Sequence, residues 1–281
     1  MKKYSIIITK YFSLCLIVIL FLALGGCKSS PSKEETAKNK NLFEPLVKDA
    51  IEEEVEEFIS PLPSSFEVTE MLNDIGISYI LGISNSVDNV DRYFTERSKA
   101  LNLGVYSADL SYASTYQMKQ EVMLILEAAK KLTDDLEIST TFNETLVEEI
   151  EKNLDNKDAL VDIITDSFND TYNFLNKNDK GGLSLLIVAG SWVEALFLTT
   201  HVSANVYHNY EIVKIIYDQK VSLEKLISLM EGFNEDPYLK DFLEEIAPLR
   251  EIYDTIDETL TEDQVNQISA TVEALREKII G

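Results

Sequence analysis

The sequence predicts an all-α fold, and three features point there together: the spacing of its chain breakers, its helix-start signals and its apolar periodicity. No proline falls between Pro63 and Pro237, and no glycine between Gly104 and Gly181. A strand-rich domain needs frequent turns, which glycine and proline mostly supply, so gaps of this length favour helices. Ser64 with Glu67, Thr141 with Glu144 and Thr261 with Gln264 have capping-box spacing, and Asp236 before Pro237 suits an N-cap followed by the first helical residue. Leu160, Ile163, Ile164, Phe168, Tyr172 and Leu175 repeat at steps of three and four, as do Val122, Ile125, Ala129, Leu132 and Leu136. That period puts each set on one helix face.

Taken in order, these signals place about ten to twelve helices. They lie near 43–60, 66–75, 86–101, 104–116, 118–136, 143–154, 157–177, 183–205, 207–219, 222–232, 237–256 and 262–280. Pro248 is expected to kink or split the eleventh, because it has no N–H to give the preceding turn. Leu183 to Leu198 is apolar almost all round, the pattern of a helix buried inside a bundle. It is shorter than the roughly 20 residues of a membrane span and carries Glu194. The expectation is a compact multi-helix bundle around one buried central helix. A weak internal echo adds the option of two duplicated halves: Gly104-Val-Tyr106 leads to Leu110 as Gly190-Ser-Trp192 leads to Leu196. Chance would also produce it, and the acids do not coincide, since Asp109 aligns with Ala195 rather than Glu194.

The N-terminus reads as an export signal. Lys2, Lys3 and Lys10 give it a positive start, Tyr11 to Leu24 form a fourteen-residue apolar run, and Leu24-Gly25-Gly26 supplies small residues before Cys27. A run that short is a signal core rather than a span. Leu24-Gly-Gly-Cys27 resembles the lipobox of bacterial lipoproteins, which implies cleavage before Cys27, diacylglycerol on its thiol and usually a third acyl chain on its amine. Each buried CH₂ contributes roughly 0.8 kcal/mol, so two or three chains anchor permanently. The chain then divides into a signal peptide at 1–26, a lipidated cysteine and linker at 27–41, and a helical domain at 42–281. The linker from Lys28 to Asn41 is polar and reaches at most about 50 Å when extended. Lys28 is not the aspartate of an inner-membrane retention signal, and Lys33-Glu34-Glu35 looks like the surface-export signals of some Bacteroidetes lipoproteins. An outer-membrane location follows, with either face open.

Composition excludes several functions. The only other cysteine, Cys15, lies in the signal, so the mature chain offers no thiol for a disulfide, a metal or a nucleophile. The formal charge of −24 includes the three signal lysines, which leaves the mature chain at −27. Such a surface repels phosphate backbones, so no nucleic acid is expected as a partner. No phosphate loop, dinucleotide fingerprint or nucleophile elbow occurs, and no cofactor is expected.

Three constellations remain. Glu194 sits among Gly190, Ser191, Phe197 and Leu198, and a carboxylate in such a setting must be paired, hydrogen-bonded or protonated. It is either a candidate general acid/base or acidic ligand contact, or a structural group satisfied by a salt bridge or a tyrosine hydroxyl, and the structural case is the commoner one. His201 and His208 follow at steps of seven, which separates them by about 10.5 Å along a helix and rules out one shared ion, so no metal site is expected. Tyr106, Asp109, Tyr112 and Tyr116 form a stripe that suits a sugar or cation pocket, or a core in which tyrosine hydroxyls satisfy the aspartate. Packing this stripe against the Glu194 helix would bring the two carboxylates together. The candidates are thus Glu194, Asp109 and His201 for catalysis and Tyr106, Tyr112, Tyr116 and Trp192 for binding.

Tyr93 to Leu110, Gly190-Ser-Trp-Val-Glu-Ala-Leu196 and Leu223-Glu-Lys-Leu-Ile227 together resemble a family of uncharacterised Bacteroidetes lipoproteins. The resemblance implies location and lineage and carries no activity. The expected function is a lipid-anchored module that binds an envelope protein or small ligand without catalysis. The alternative is a helical hydrolase or lyase using Glu194 and Asp109.

Overall fold

Caps and apolar spacing set most helix boundaries in the computed structural model, which describes residues 65–138, 143–233 and 236–281. All of these fall in one unit, Glu52–Gly281. The signal, the linker, the helix expected at 43–60 and the capping residues Ser64 and Thr141 lie outside the described residues. Among the described residues there are nine α-helices and no strand: α1 Ser65–Asp74, α2 Glu96–Thr115, α3 Lys119–Asp135, α4 Glu144–Asn153, α5 Lys157–Lys177, α6 Gly181–His201, α7 Tyr210–Gly232, α8 Pro237–Asp254 and α9 Glu262–Ile280. Two short 3-10 turns, Val87–Arg92 and Val206–His208, complete the order. The chain is an all-α bundle.

The caps explain the starts. Thr261 and Gln264 form the expected capping box on α9, and Asp236 accepts from the N–H groups of Tyr238 and Leu239 ahead of α8. Asn143 caps α4. Pro248 neither splits nor ends α8. The carbonyl it leaves without a donor belongs to Glu244, and both residues face outward, where water serves that carbonyl. The helices expected at 207–219 and 222–232 are one, because no breaker separates them and Gln219, Ser222 and Leu223 keep the buried stripe running.

The largest departure lies at Gly104. Helices at 86–101 and 104–116 are expected from a glycine read as a break, yet α2 runs through it from Glu96 to Thr115. Its start is a capping box of Thr95 with Ser98, where serine takes the place usually held by Glu or Gln. Gly104 serves packing instead. A Cβ there would collide with the Ile187 carbonyl oxygen of α6 and stand 2.7 Å from the Ser191 nitrogen. A Cβ on Gly190 would likewise collide with the Leu101 carbonyl of α2 and stand 2.9 Å from its carbon. Each glycine therefore lies on the carbonyl three residues before the other, a reciprocal crossing of two backbones. This contact accounts for the glycine echo without requiring duplicated halves.

The crossing makes the core a pair of helices rather than one. Helix α6 is buried on every side from Gly182 to Thr200, as its sequence predicts, and α2 is buried almost all round from Ala100 to Thr115. Helix α6 has 21 residues, so length and composition alone would let it cross a membrane. Its apolar surface is instead covered by the other helices, with 89% of that stretch buried. Helices α1, α3, α5, α7 and α9 pack around the pair.

Alanine at either crossing glycine should push the backbones apart. Gly104→Ala and Gly190→Ala are each expected to cost about 2 kcal/mol or more by overpacking, outweighing the roughly 1 kcal/mol that alanine gains in helix propensity. Gly232→Ala, with open space around the added carbon, should be neutral or mildly stabilising. Urea midpoints of the three variants check this.

Candidate functional site

Four residues before the end of α9 comes an arginine. Ile268, Val272 and Arg276 stand four apart on the buried side of α9, and Arg276 is 7% exposed. Its side chain enters the core and meets Glu194 of α6, which is 0% exposed. The two form a bidentate pair, Nε to Oε2 at 2.5 Å and Nη2 to Oε1 at 2.8 Å. The guanidinium carbon lies 4.0 Å from the centre of the Phe197 ring, and the ring of His201 stacks beside Phe197 at 4.2 Å. Planar guanidinium suits both contacts, forked donation and ring stacking, where lysine would manage neither as well.

A second buried carboxyl touches this pair. Asp109 of α2 is 0% exposed, and its Oδ2 accepts from the Asn85 N–H at 3.0 Å. Its Oδ1 is buried without a hydrogen-bond partner, and the Glu194 carboxyl lies close enough for the two groups to act on each other electrostatically. Burial, and then the Glu194 charge, push Asp109 well above the ordinary carboxyl range. Burial also raises Glu194, but the Arg276 charge and its hydrogen bonds oppose it. Of the two, Asp109 is the acid that burial and its neighbour keep protonated, beside a Glu194 carboxylate held by Arg276. The core so contains one anion and one cation, both hydrogen-bonded, as buried charge requires. Arg276 was not foreseen from the sequence, although its place on the apolar stripe of α9 is a signal.

The tyrosine stripe also finds its partners inside the protein. Tyr106 donates to the Ser86 carbonyl at 2.9 Å and Tyr116 to the Ile77 carbonyl at 2.8 Å, while the Tyr112 hydroxyl accepts from the Ile80 N–H at 2.9 Å. The Tyr79 ring stacks on Tyr112 at 4.7 Å. The face read as a sugar or cation pocket is thus covered by residues 77–86. Arg276 Nη2 reaches the same segment, donating to the Ile83 carbonyl at 3.3 Å. Asn85 links it onward: its Nδ2 donates to the Tyr93 hydroxyl, and the adjacent Asn102 donates to the Ile279 carbonyl at 2.8 Å.

The remaining candidates lie apart from this cluster or at its edge. Trp192 is buried and donates to Gln219 at 3.1 Å. His201 is half-buried, with Nδ1 against the Phe197 carbonyl and Thr200 hydroxyl at 2.9 Å and Nε2 3.8 Å from Glu273. Among the described residues no three His, Cys, Asp or Glu side chains are grouped to hold a metal. The structure joins Asp109 to Glu194 and sets Tyr106 and Tyr112 beside them, and it brings in Arg276, Asn85 and Ser84, none of them a sequence candidate. No family model, curated protein or solved structure matches the chain.

Two measurements test this geometry. Arg276→Met leaves a buried anion without its partner and should cost about 3–5 kcal/mol of stability. Asp109 binds its proton more tightly folded than unfolded, so its contribution is complete below the unfolded value of about 3.9 and is lost as the pH rises toward the folded value. Asp109→Asn keeps the acceptor for Asn85 and a permanent donor for Glu194. The variant should therefore gain on the wild type by about 1.4 kcal/mol per pH unit above about pH 4 until the folded carboxyl ionises. Parallel stability curves from pH 4 to 8 would contradict a protonated Asp109 in the folded core.

Proposed function

We propose that this chain is a lipid-anchored cell-envelope lipoprotein, held in the outer membrane, whose helical domain binds a partner protein or small ligand without catalysis. The observation that carries the anchor is the apolar leader ending in Leu24-Gly25-Gly26-Cys27. The resemblance to Bacteroidetes lipoproteins agrees with it, and the polar linker gives the domain reach from the bilayer. The non-catalytic reading is supported by Glu194, the best acid/base candidate, which is enclosed and bound through both oxygens to Arg276. A general acid must reach its substrate's atoms.

A second reading has one observation in its favour. A carboxyl that keeps its proton beside a carboxylate is the acid/base pairing that a hydrolase or lyase built on Asp109 and Glu194 would use. Glu194→Gln separates the two, since a variant that folds yet loses turnover of a substrate would favour catalysis.

Metabolic labelling with a fatty acid tests the anchor. Label should enter the wild-type chain and vanish in Cys27→Ser, which should leave the membrane fraction. Undiminished label and fractionation in the variant would refute lipidation there. Capture of the lipidated protein from its own membrane, followed by identification of what accompanies it, tests the binding role.

A further inference from the structure

Residues 77–86 cover the buried acids in an unusual way. Across 73–92 the only buried residue is Asn85, a polar one. The segment thus adds little apolar burial, and its tip is outward, with Leu81 72% exposed. Gly76 and Gly82 both adopt positive φ, +80° and +81°, with open space around each. Among the described residues it is fastened by scattered hydrogen bonds, to Tyr106, Tyr112, Tyr116, Asp109 and Arg276 and from the Asn85 side chain to Tyr93 and Asn102, and by the Tyr79 stack. Segments with few buried apolar contacts open at a free-energy cost well below that of global unfolding. The helices beneath, α2 and α6, are clamped by backbone contact and do not need the segment to stay together.

We propose that residues 77–86 are a displaceable strap over the buried, unpartnered Asp109 oxygen, closed while Asp109 carries its proton, which opens with the helical body intact as that proton is lost. Closure leaves the Asp109 carboxyl in a dry site. The groups facing it are Glu194 of α6, Arg276 of α9, Tyr106 and Tyr112 of α2, and Ser84, Asn85 and Tyr79 of the strap. His201 acts on Glu194 from the far side of Phe197, and Tyr93 acts on Arg276. Only Arg276 is a fixed cation among them, and Glu194 already neutralises it. Ionised Asp109 would leave the closed site with one negative charge too many. Opening admits water, which solvates that charge, so release of one proton accompanies opening. Raising the pH therefore favours the open strap, and the site it uncovers holds an anion beside the tyrosine faces.

Amide hydrogen exchange, corrected for the intrinsic base-catalysed rate, tests the idea on the wild-type domain. The Ile80 and Asn85 amides should report an opening constant that rises about tenfold per pH unit above pH 4.5, as one-proton linkage requires. Amides within α2 and α6 should stay protected over that range. In Asp109→Asn the strap constant should not vary with pH. The proposal is overturned if strap amides exchange only with the body of α2 and α6, if the wild-type constant is flat with pH, or if the variant keeps the wild-type slope. Should the variant fail to fold, the wild-type comparison of strap against body decides alone.

Discussion

Helices α2 and α6 meet with nothing between their backbones, because the residue at each point of contact is a glycine. Side chains normally hold packed helices 8–10 Å apart at their axes, and removing them at one crossing brings main chain against main chain. Everything else in the bundle is arranged around that approach. With the two axes so close, the side chains that flank the crossing have no route to water and must satisfy one another. Asp109 and Glu194 follow the two glycines by five and four residues, so the crossing that buries them also joins them.

The polar content of the interior follows from this. A core of two enclosed helices carries many carbonyls, hydroxyls and amides, and each needs a partner. Ser107, Ser111, Thr199 and Thr200 return their hydroxyls to the preceding turn of their own helices. Asn102 and Asn85 bridge between elements. The one full charge buried from α6 is answered from α9, and the extra carboxyl is answered by a proton. Electrostatic neutrality here depends on solvent acidity in a way that a wholly apolar core would not.

Much of the fold could be read from the residues, because helices α3, α4 and α5 announce themselves by spacing and α8 and α9 by their caps, each within a few positions. Where the reading fails, local signals had two meanings. Gly104 looks like a break when taken alone and is a contact when Gly190 faces it. Thr95-Glu-Arg-Ser98 lacks the usual acid or amide of a capping box, so the start of α2 is misplaced. Helix α6 declares its burial through composition, whereas α2 conceals it: Asn102, Asp109, Ser111 and two tyrosines suit a pocket wall as well as a core, and only their partners decide for the core. The site was half legible. Single residues in apolar settings mark Glu194 and Asp109 as special, but a binding face and an internally satisfied face read alike, and the strap that fills the tyrosine stripe has no periodicity to reveal it.

Arg276 answers a charge that lies 82 residues earlier, and Asn102 holds a carbonyl 177 residues later. Contacts between such distant parts of a chain form late, since the loop entropy is spent before any gain returns. During synthesis, helices α2 and α6 emerge and can cross while Glu194 still has no counter-charge. Without Arg276, closing the core over Glu194 would bury an unpaired charge, so hydration of that acid is favoured over closing. Docking of α9 is then the step that dries the core. A core built this way ties its drying to a helix far along the chain from the crossing it serves.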